Sequence, residues 1–147
     1  KYPGVPKLNL MEVEPHKPFT IGDIMVTPIR VMHGHIPILG FRISQTTTPP
    51  KAHELSSLTY ITDMKTISDE DRQLLSGVET LVVNALRWEN PHHSHMLVDD
   101  AIAFARSVGA SHTYFTHMTH QLGFHDEANA RLPEGFAFAY DGLRLTV

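Results

Sequence analysis

The run from Val78 to Ala85 constrains the fold of this chain most, because it is largely apolar over the length of one strand. Such a run is typical of a strand buried on both faces, as in a parallel sheet covered by helices. Ser68 and Asp71 predict a capped helix before it, and Gly77 ends that helix. An apolar stripe from Val98 to Gly109 predicts a second helix after it. The alternation of strand and helix indicates an α/β fold.

Most other parts of the sequence show the apolar or alternating patterns that are typical of strands. Gly22 and Asp23 separate two apolar runs and predict a hairpin. The predicted elements are strands at Leu8 to Glu14, Phe19 to Ile21, Ile24 to Met32, Ile38 to Ser44, Leu58 to Thr62 and Thr113 to Thr116, a polar loop at Gln45 to Ser57, a short helix at Asp126 to Leu132, and a closing hairpin of Phe136 to Tyr140 with Leu143 to Val147. This order predicts a mixed β-sheet with helices on one face rather than a symmetric barrel.

Length and composition narrow the class of protein. The 147 residues fit a single domain, residues 1–147, with room for a hydrophobic core. The formal net charge of −4 argues against a nucleic-acid partner on electrostatic grounds. No apolar run approaches the ~20 residues of a membrane span, so no membrane partner is expected. The absence of cysteine excludes disulfides and thiolate ligands within this chain and fits a cytoplasmic location.

Histidine is frequent and unevenly distributed, because nine of the eleven histidines fall in three groups. The groups are His33 with His35, then His92, His93 and His95, and then His112, His117, His120 and His125. Histidine is the commonest metal ligand and the commonest general acid or base, so the groups predict a metal-dependent active site. His16, His53 and His112 are predicted to be surface or structural residues.

Three potential ligands stand at the ends of predicted strands: His33, Asp63 and His117. The carboxyl edge of an α/β sheet is where such side chains converge. Two imidazoles and a carboxylate suit zinc, and equally manganese or iron. A carboxylate can also bridge two metal ions. Taken alone, a histidine or aspartate at such a position is more often a surface or turn residue. The coincidence of His33, Asp63 and His117 favours a metal site. The His92 to His95 group can be only a polar loop before a helix.

Several motifs together resemble a known family. They are Val31-Met32-His33-Gly34, Leu39-Gly40-Phe41-Arg42, Tyr60-Ile61-Thr62-Asp63, Leu81-Val82-Val83-Asn84-Ala85-Leu86-Arg87, Asp99-Asp100-Ala101, Phe115-Thr116-His117-Met118-Thr119-His120 and Ala139-Tyr140-Asp141-Gly142-Leu143. The chain from about Tyr2 resembles the C-terminal half of a metallo-β-lactamase-fold hydrolase, in the phosphoribosyl cyclic phosphate phosphodiesterase-like branch. The resemblance implies half of a four-layer αββα sandwich.

The resemblance also implies roles for individual residues. His33 matches a ligand of the first metal, Asp63 matches the aspartate that bridges two metals, and His117 matches a ligand of the second metal. His95 matches a histidine near the substrate phosphate and is a candidate general acid for the leaving oxygen. The implied catalytic residues are therefore His95 and Asp63.

Three further histidines are assigned less directly. His120 matches a histidine that joins a cysteine-rich N-terminal segment around a structural zinc in some members. His92 is expected to orient the loop that carries His95. His35 has no counterpart in the family and is either a residue behind the metal ligands or an exposed one.

One family motif is absent: His-x-His-x-Asp-His, which lies in the N-terminal half of the fold and supplies further metal ligands. We therefore expect this chain to be the C-terminal part of the domain, with the missing N-terminal half as its partner. An isolated half would expose an apolar face and an unpaired edge, so self-association as a homodimer is the alternative.

The predicted function is that of a metal-dependent hydrolase with two divalent ions, zinc or manganese, with iron as a further choice. It would cleave a small cyclic or nucleotide-like phosphodiester through a metal-bound hydroxide, and this chain alone would be inactive. One alternative is a non-catalytic metal-binding or interaction fragment that another segment completes. A second keeps the fold but acts on RNA ends, a thioester or a lactam.

Overall fold

A computed structural model describes residues 4, 6, 8–45 and 57–146. The strands in these ranges form one sheet whose spatial order is the order along the chain. The elements are β1 (Phe19–Ile21), β2 (Ile24–His33), β3 (Ile36–Gln45), β4 (Ser57–Ile61), α1 (Asp69–Gln73), β5 (Thr80–Asn84), α2 (Val98–Val108), β6 (His112–Thr116), a 3₁₀ turn (His120–Leu122), α3 (His125–Asn129) and β7 (Phe136–Phe138).

The sheet is mixed, as predicted. Strands β1 to β4 pair antiparallel, and β4 to β7 pair parallel. Tight turns join β1 to β2 and β2 to β3, whereas the parallel neighbours are joined by crossovers that contain α1, α2 and α3. Gly22 has a positive φ of 58° in the β1–β2 turn, a conformation that glycine adopts without steric cost.

One face of the sheet is buried under all three helices. Its central row, in register from β2 to β7, is Ile29, Gly40, Ile61, Val83, Phe115 and Phe138, and every member is buried. Leu75 after α1, Phe104 of α2 and Ala128 of α3 belong to the same core cluster. The prediction of helices on one face is therefore confirmed.

The opposite face carries a row of larger side chains, in which Phe41 pairs with Tyr60, Tyr60 with Val82 and Val82 with Tyr114. Tyr60 is 45% exposed, and Phe41 and Tyr114 are half-buried. Val82, in the middle of the row, is 7% exposed and therefore buried. The opposite face is thus partly exposed in the described part of the chain.

Both predicted helix starts correspond to helices in the structure. The Ser68 hydroxyl accepts a hydrogen bond from the Asp71 amide at 3.0 Å and caps α1. The first helix ends at Gln73, earlier than predicted, and turns lead to Gly77. The second helix matches its prediction, and Gly109 closes it with φ 70°. Leu97, which precedes α2, offers no side-chain cap.

Two strand predictions are wrong. Residues 8–14 form no strand, and Leu10 is 93% exposed, because the alternating pattern there finds no neighbouring strand to pair with. The predicted closing hairpin is also absent from residues 136–146: β7 pairs in parallel with β6, and residues 143–146 form no strand on its other edge. Val147 lies outside the described residues, as do residues 46–56 of the predicted polar loop with His53.

A buried carboxylate joins the N-terminal segment to the sheet and to α1. Asp71 is 5% exposed and accepts hydrogen bonds from the Arg30 amide at 3.0 Å and the Ser68 hydroxyl at 2.6 Å. The Nε2 atom of His16, in the N-terminal segment, lies 2.6 Å from Asp71 Oδ1. Burial by itself raises the pKa of Asp71, but the hydrogen bonds outweigh it and hold the pKa below its ordinary value.

No helix of the described chain has both the length and the apolar character that crossing a membrane requires.

Candidate metal centre

Three predicted ligands converge at one edge of the sheet. His33 ends β2, Asp63 lies two residues beyond β4, and His117 follows β6 directly. Strands β2 and β4 are both antiparallel to β3, and β4, β5 and β6 run parallel, so all these strands end at the same edge. His117 has a positive φ of 60°, which is rare for a residue with a side chain and often marks a functional site.

The Asp63 carboxylate lies close to the imidazoles of His33, His95 and His117. Its Oδ1 is 3.3 Å from His117 Nε2 and 3.9 Å from His95 Nδ1. His33, Asp63 and His95 each offer a ligand atom within 4.8 Å of the others. His33 and His95 thus belong to one group of possible ligands with Asp63, and His117 contacts Asp63 from outside that group.

His95, the candidate general acid, lies next to two of the predicted metal ligands, His33 and His117. Its Nε2 is 3.2 Å from His33 Nε2, and its ring centroid is 4.6 Å from that of His117. The residue is 8% exposed, and its Nδ1 has no hydrogen-bond partner among the described residues. Burial, followed by the imidazoles of His117 and His33, lowers the pKa of His95 to about 4 against the opposing charge of Asp63. His95 is therefore neutral at pH 7 in this arrangement.

The loop that carries His95 is held by its own histidines. His92 stacks on His95 with ring centroids 5.0 Å apart, and His93 lies against His92 at 4.4 Å. The Ser94 amide donates to His92 Nδ1 at 3.3 Å. These contacts are those that orientation of the loop by His92 would require.

A buried asparagine that the sequence analysis did not single out holds the backbone beside Asp63. Asn84, at the end of β5, is fully buried. Its Oδ1 accepts from the Met64 amide at 2.8 Å, and its Nδ2 donates to the Met64 carbonyl at 3.0 Å. Thr62 donates to the carboxylate itself at 2.9 Å. A polar amide inside a largely apolar strand is the signal that could have identified Asn84.

The remaining histidines lie apart from this group. His35 is exposed in the β2–β3 turn, and His120 is exposed at the start of the 3₁₀ turn. Neither side chain makes a hydrogen bond or ion pair with another described residue. His112 lies at the opposite end of β6 from His117. His125 binds the Phe138 carbonyl at 3.2 Å.

The side chains at this edge fit a divalent metal ion. Imidazole nitrogens and a carboxylate are ligands that zinc accepts, and manganese or iron accept them too. The buried, unpartnered Nδ1 of His95 adds a donor atom that protein contacts leave unused among the described residues. These side chains do not fill the coordination shell of a metal ion by themselves, so further ligands are required.

A family model and a curated protein each match most of the chain. The family model described as "Beta-lactamase superfamily domain" matches residues 1–118. A protein of Porphyromonas gingivalis named octanoyltransferase is 34% identical over 146 residues, which are 99% of this chain and 27% of that protein.

Two solved structures share the fold. One, described as a new diphosphatase from the PhnP family, is 34% identical with a TM-score of 0.78, over 92% of this chain and 48% of that one. The other, the metallo-β-lactamase-fold protein YhfI from Bacillus subtilis, is 19% identical with a TM-score of 0.66, over 89% of this chain and 53% of that one. The chain thus spans about a quarter of the curated relative and about half of each solved structure.

Proposed function

Because the chain belongs to the β-lactamase superfamily, we propose that it forms part of a metal-dependent hydrolase that cleaves a phosphorus–oxygen bond in a small phosphodiester or diphosphate. The observation that carries the proposal is the position of the Asp63 carboxylate, 3.3 Å from His117 Nε2 and within the ligand group of His33 and His95. A carboxylate that lies close to several imidazoles at one sheet edge can be shared by two metal ions, as in two-metal hydrolytic sites.

His33, Asp63 and His117 would hold the ions, with Asp63 shared between them. When bound, divalent ions activate water as a nucleophile and neutralise charge on phosphoryl oxygens. The remaining ligands would come from the N-terminal half of the fold. The proposal extends to zinc or manganese as the ions and to the missing half as the partner of this chain.

His95 is the residue to which we assign proton transfer. Its neutral imidazole lies beside both His33 and Asp63, within the ligand group. An anionic phosphate placed against the ring would raise its pKa, because an opposite charge favours the imidazolium form. His95 could then donate a proton to the leaving oxygen, and His92 would keep the ring oriented by stacking on it.

A second candidate substrate is an acyl ester or thioester, which the curated relative named octanoyltransferase brings into consideration. That protein has nearly three quarters of its length outside the match, where an acyl-transfer activity can reside. The diphosphatase shares the same identity over a larger fraction of its own chain, and it favours phosphorus chemistry.

The test uses the natural protein at full length, loaded with zinc or with manganese. We expect hydrolysis of bis(p-nitrophenyl) phosphate or a nucleoside 2′,3′-cyclic phosphate, and none of an octanoyl thioester. Asp63→Ala should lower kcat/KM by about 10³-fold, or roughly 4 kcal/mol, and should reduce the metal content. Asp141→Ala, an exposed carboxylate in a turn, is the matched control. Full metal content and full activity in Asp63→Ala would contradict the proposal, as would thioester hydrolysis alone.

A further inference from the structure

We infer that a cleft on the helical side of the sheet is a second binding site, for a small carboxylate with an apolar body. Residues 64–67 form one wall of the cleft and α2 forms the other, and its volume is about 460 Å³. Ligand pockets in proteins usually measure roughly 300–1,000 Å³. The rest of a four-layer sandwich packs on the opposite side of the sheet, so the cleft stays open in the complete fold.

Two cations line the cleft, and each keeps capacity for a further anion. Arg72 Nη2 pairs with Asp69 at 2.8 Å, but its Nε is buried and has no hydrogen-bond partner among the described residues. The Lys65 ammonium lies 3.8 Å from Asp100 Oδ2, which also accepts a hydrogen bond from the Leu97 amide at 3.3 Å. A buried donor without an acceptor is costly, so the Arg72 guanidinium favours an anion in the cleft.

The balance of charge in the cleft favours an anion of a single charge. Lys65 and Arg72 contribute two positive charges to its lining, and Asp100 contributes one negative charge. A carboxylate has a single charge at pH 7 and accepts two parallel hydrogen bonds from a guanidinium group. A phosphate monoester carries nearly two negative charges and matches this lining less well.

Apolar side chains make up most of the remaining lining. Met64, Met96 and Phe104 are buried there, and Ile67 packs against the same core cluster. Ala103 of α2 is exposed and has a short side chain. Methionine side chains are flexible and adapt to the shape of an apolar ligand. The ligand that fits both parts of the lining therefore joins one carboxylate to a short hydrocarbon body.

The lining of the cleft continues into the candidate metal centre. Met64 follows Asp63 in the chain, and Met96 follows His95. A ligand that contacts both methionines therefore bears on the loops that hold Asp63 and His95. This position makes the cleft an effector site for the metal centre, while binding in the cleft does not itself depend on the proposed function.

Methionine methyl groups report on the cleft directly by nuclear magnetic resonance. In the full-length protein with labelled methionine methyls, the signals of Met64 and Met96 are those lost in Met64→Leu and Met96→Leu. Met25, exposed at the far end of β2 and identified in the same way, is the reference. Hexanoate should shift the Met64 and Met96 signals saturably and leave that of Met25 unchanged. Acetate lacks the apolar body and hexan-1-ol lacks the charge, so neither should do this at the same concentration.

Four variants test the residues that define the cleft. Arg72→Gln and Lys65→Gln should each weaken hexanoate binding about 10-fold, since each removes a charged hydrogen-bond donor on a partly exposed side chain. Ala103→Trp, at an exposed position of α2, should abolish binding by filling the cleft. Arg106→Gln is the control and should leave binding unchanged, because Arg106 lies over the Phe136 ring instead.

Several results would overturn the binding site. They are the absence of a saturable shift in wild type, an equal response to hexan-1-ol, a shift that persists in Ala103→Trp, and an unchanged affinity in both Arg72→Gln and Lys65→Gln. None of these measurements requires turnover, so failure of this inference is distinguished from failure of the proposed function.

The effector role has a measurement of its own. Saturating hexanoate should also shift the imidazole signals of His95, identified by their loss in His95→Ala, in wild type but not in Ala103→Trp. The ring of His112, at the far end of β6, is the reference and should not respond. Binding of hexanoate without a response at His95 would overturn the effector role.

Discussion

The Nε2 atoms of His33 and His95 lie 3.2 Å apart, so the two imidazoles face each other with the nitrogens that a metal ion or a substrate proton would use. In this contact one ring donates and the other accepts. A metal ion bound at His33 Nε2 would have to replace the hydrogen bond. The two rings therefore have separate proposed roles, ligand and proton donor, that mutation can distinguish.

Replacing each of these histidines should affect a different quantity. His33→Ala should lower the metal content of the full-length protein, because it removes a proposed ligand. His95→Ala should keep the metal and lower kcat by about 10²–10⁴-fold, the usual contribution of a general acid. Elemental analysis and steady-state kinetics measure the two effects, with His112→Ala as the control at the far end of β6. Loss of metal in His95→Ala to the same extent as in His33→Ala would make His95 a ligand instead.

Asn84→Ala should reduce both stability and activity. The variant leaves the amide and carbonyl of Met64 without their buried partner, which costs about 2–4 kcal/mol of unfolding free energy. It should also lower kcat, because the backbone beside Asp63 loses its attachment to β5. Asn129→Ala is the matched control, since Asn129 also binds a backbone amide, that of Phe138 at 2.9 Å, but on α3. Full kcat in folded Asn84→Ala would show that Asn84 does not position Asp63.

Asp71 should make folding stability depend on pH in the acid range. Its hydrogen bonds hold the pKa of the carboxyl below the ordinary value of about 3.9. A group with a depressed pKa in the folded state stabilises the protein above its unfolded pKa and loses that contribution as the pH falls through the folded pKa. Asp71→Ala should therefore cost about 2–3 kcal/mol at pH 7 and progressively less below about pH 4.

Urea denaturation of wild type and Asp71→Ala over a range of pH measures this difference. Asp99→Ala, an exposed aspartate in the first turn of α2, provides the comparison and should show a small cost. If the difference in unfolding free energy between wild type and Asp71→Ala stays constant down to pH 3, the ionised Asp71 carboxylate is not its cause.

Gly40→Ala should destabilise the sheet by about 1–3 kcal/mol. A Cβ atom at this buried position would lie 2.6 Å from Ile61 Cγ1 and 3.3 Å from the Tyr60 carbonyl oxygen. The cost should shrink when Ile61 is first replaced by alanine, because the closest contact is with that side chain. Chemical denaturation of the two single variants and the double variant gives the coupling energy. Equal costs in both backgrounds would place the strain on the backbone instead.

Much of the fold was predictable because its signals are local. The Ser68 cap, the glycine after α2 and the Gly22–Asp23 turn each act within a few residues, and the corresponding elements are present. The failures concern pairing. Residues 8–14 alternate like a strand yet have no strand beside them, and β7 pairs with β6 rather than with the segment that follows it.

Periodicity and turn chemistry are properties of adjacent residues, so they predict most of the strands and helices and place His33, Asp63 and His117 at strand ends. Three contacts become apparent only in the folded chain: His95 with His33 across 62 positions, Asn84 with Met64, and Arg131 with Trp88. These contacts depend on how distant segments pack against one another, and no local pattern encodes that packing.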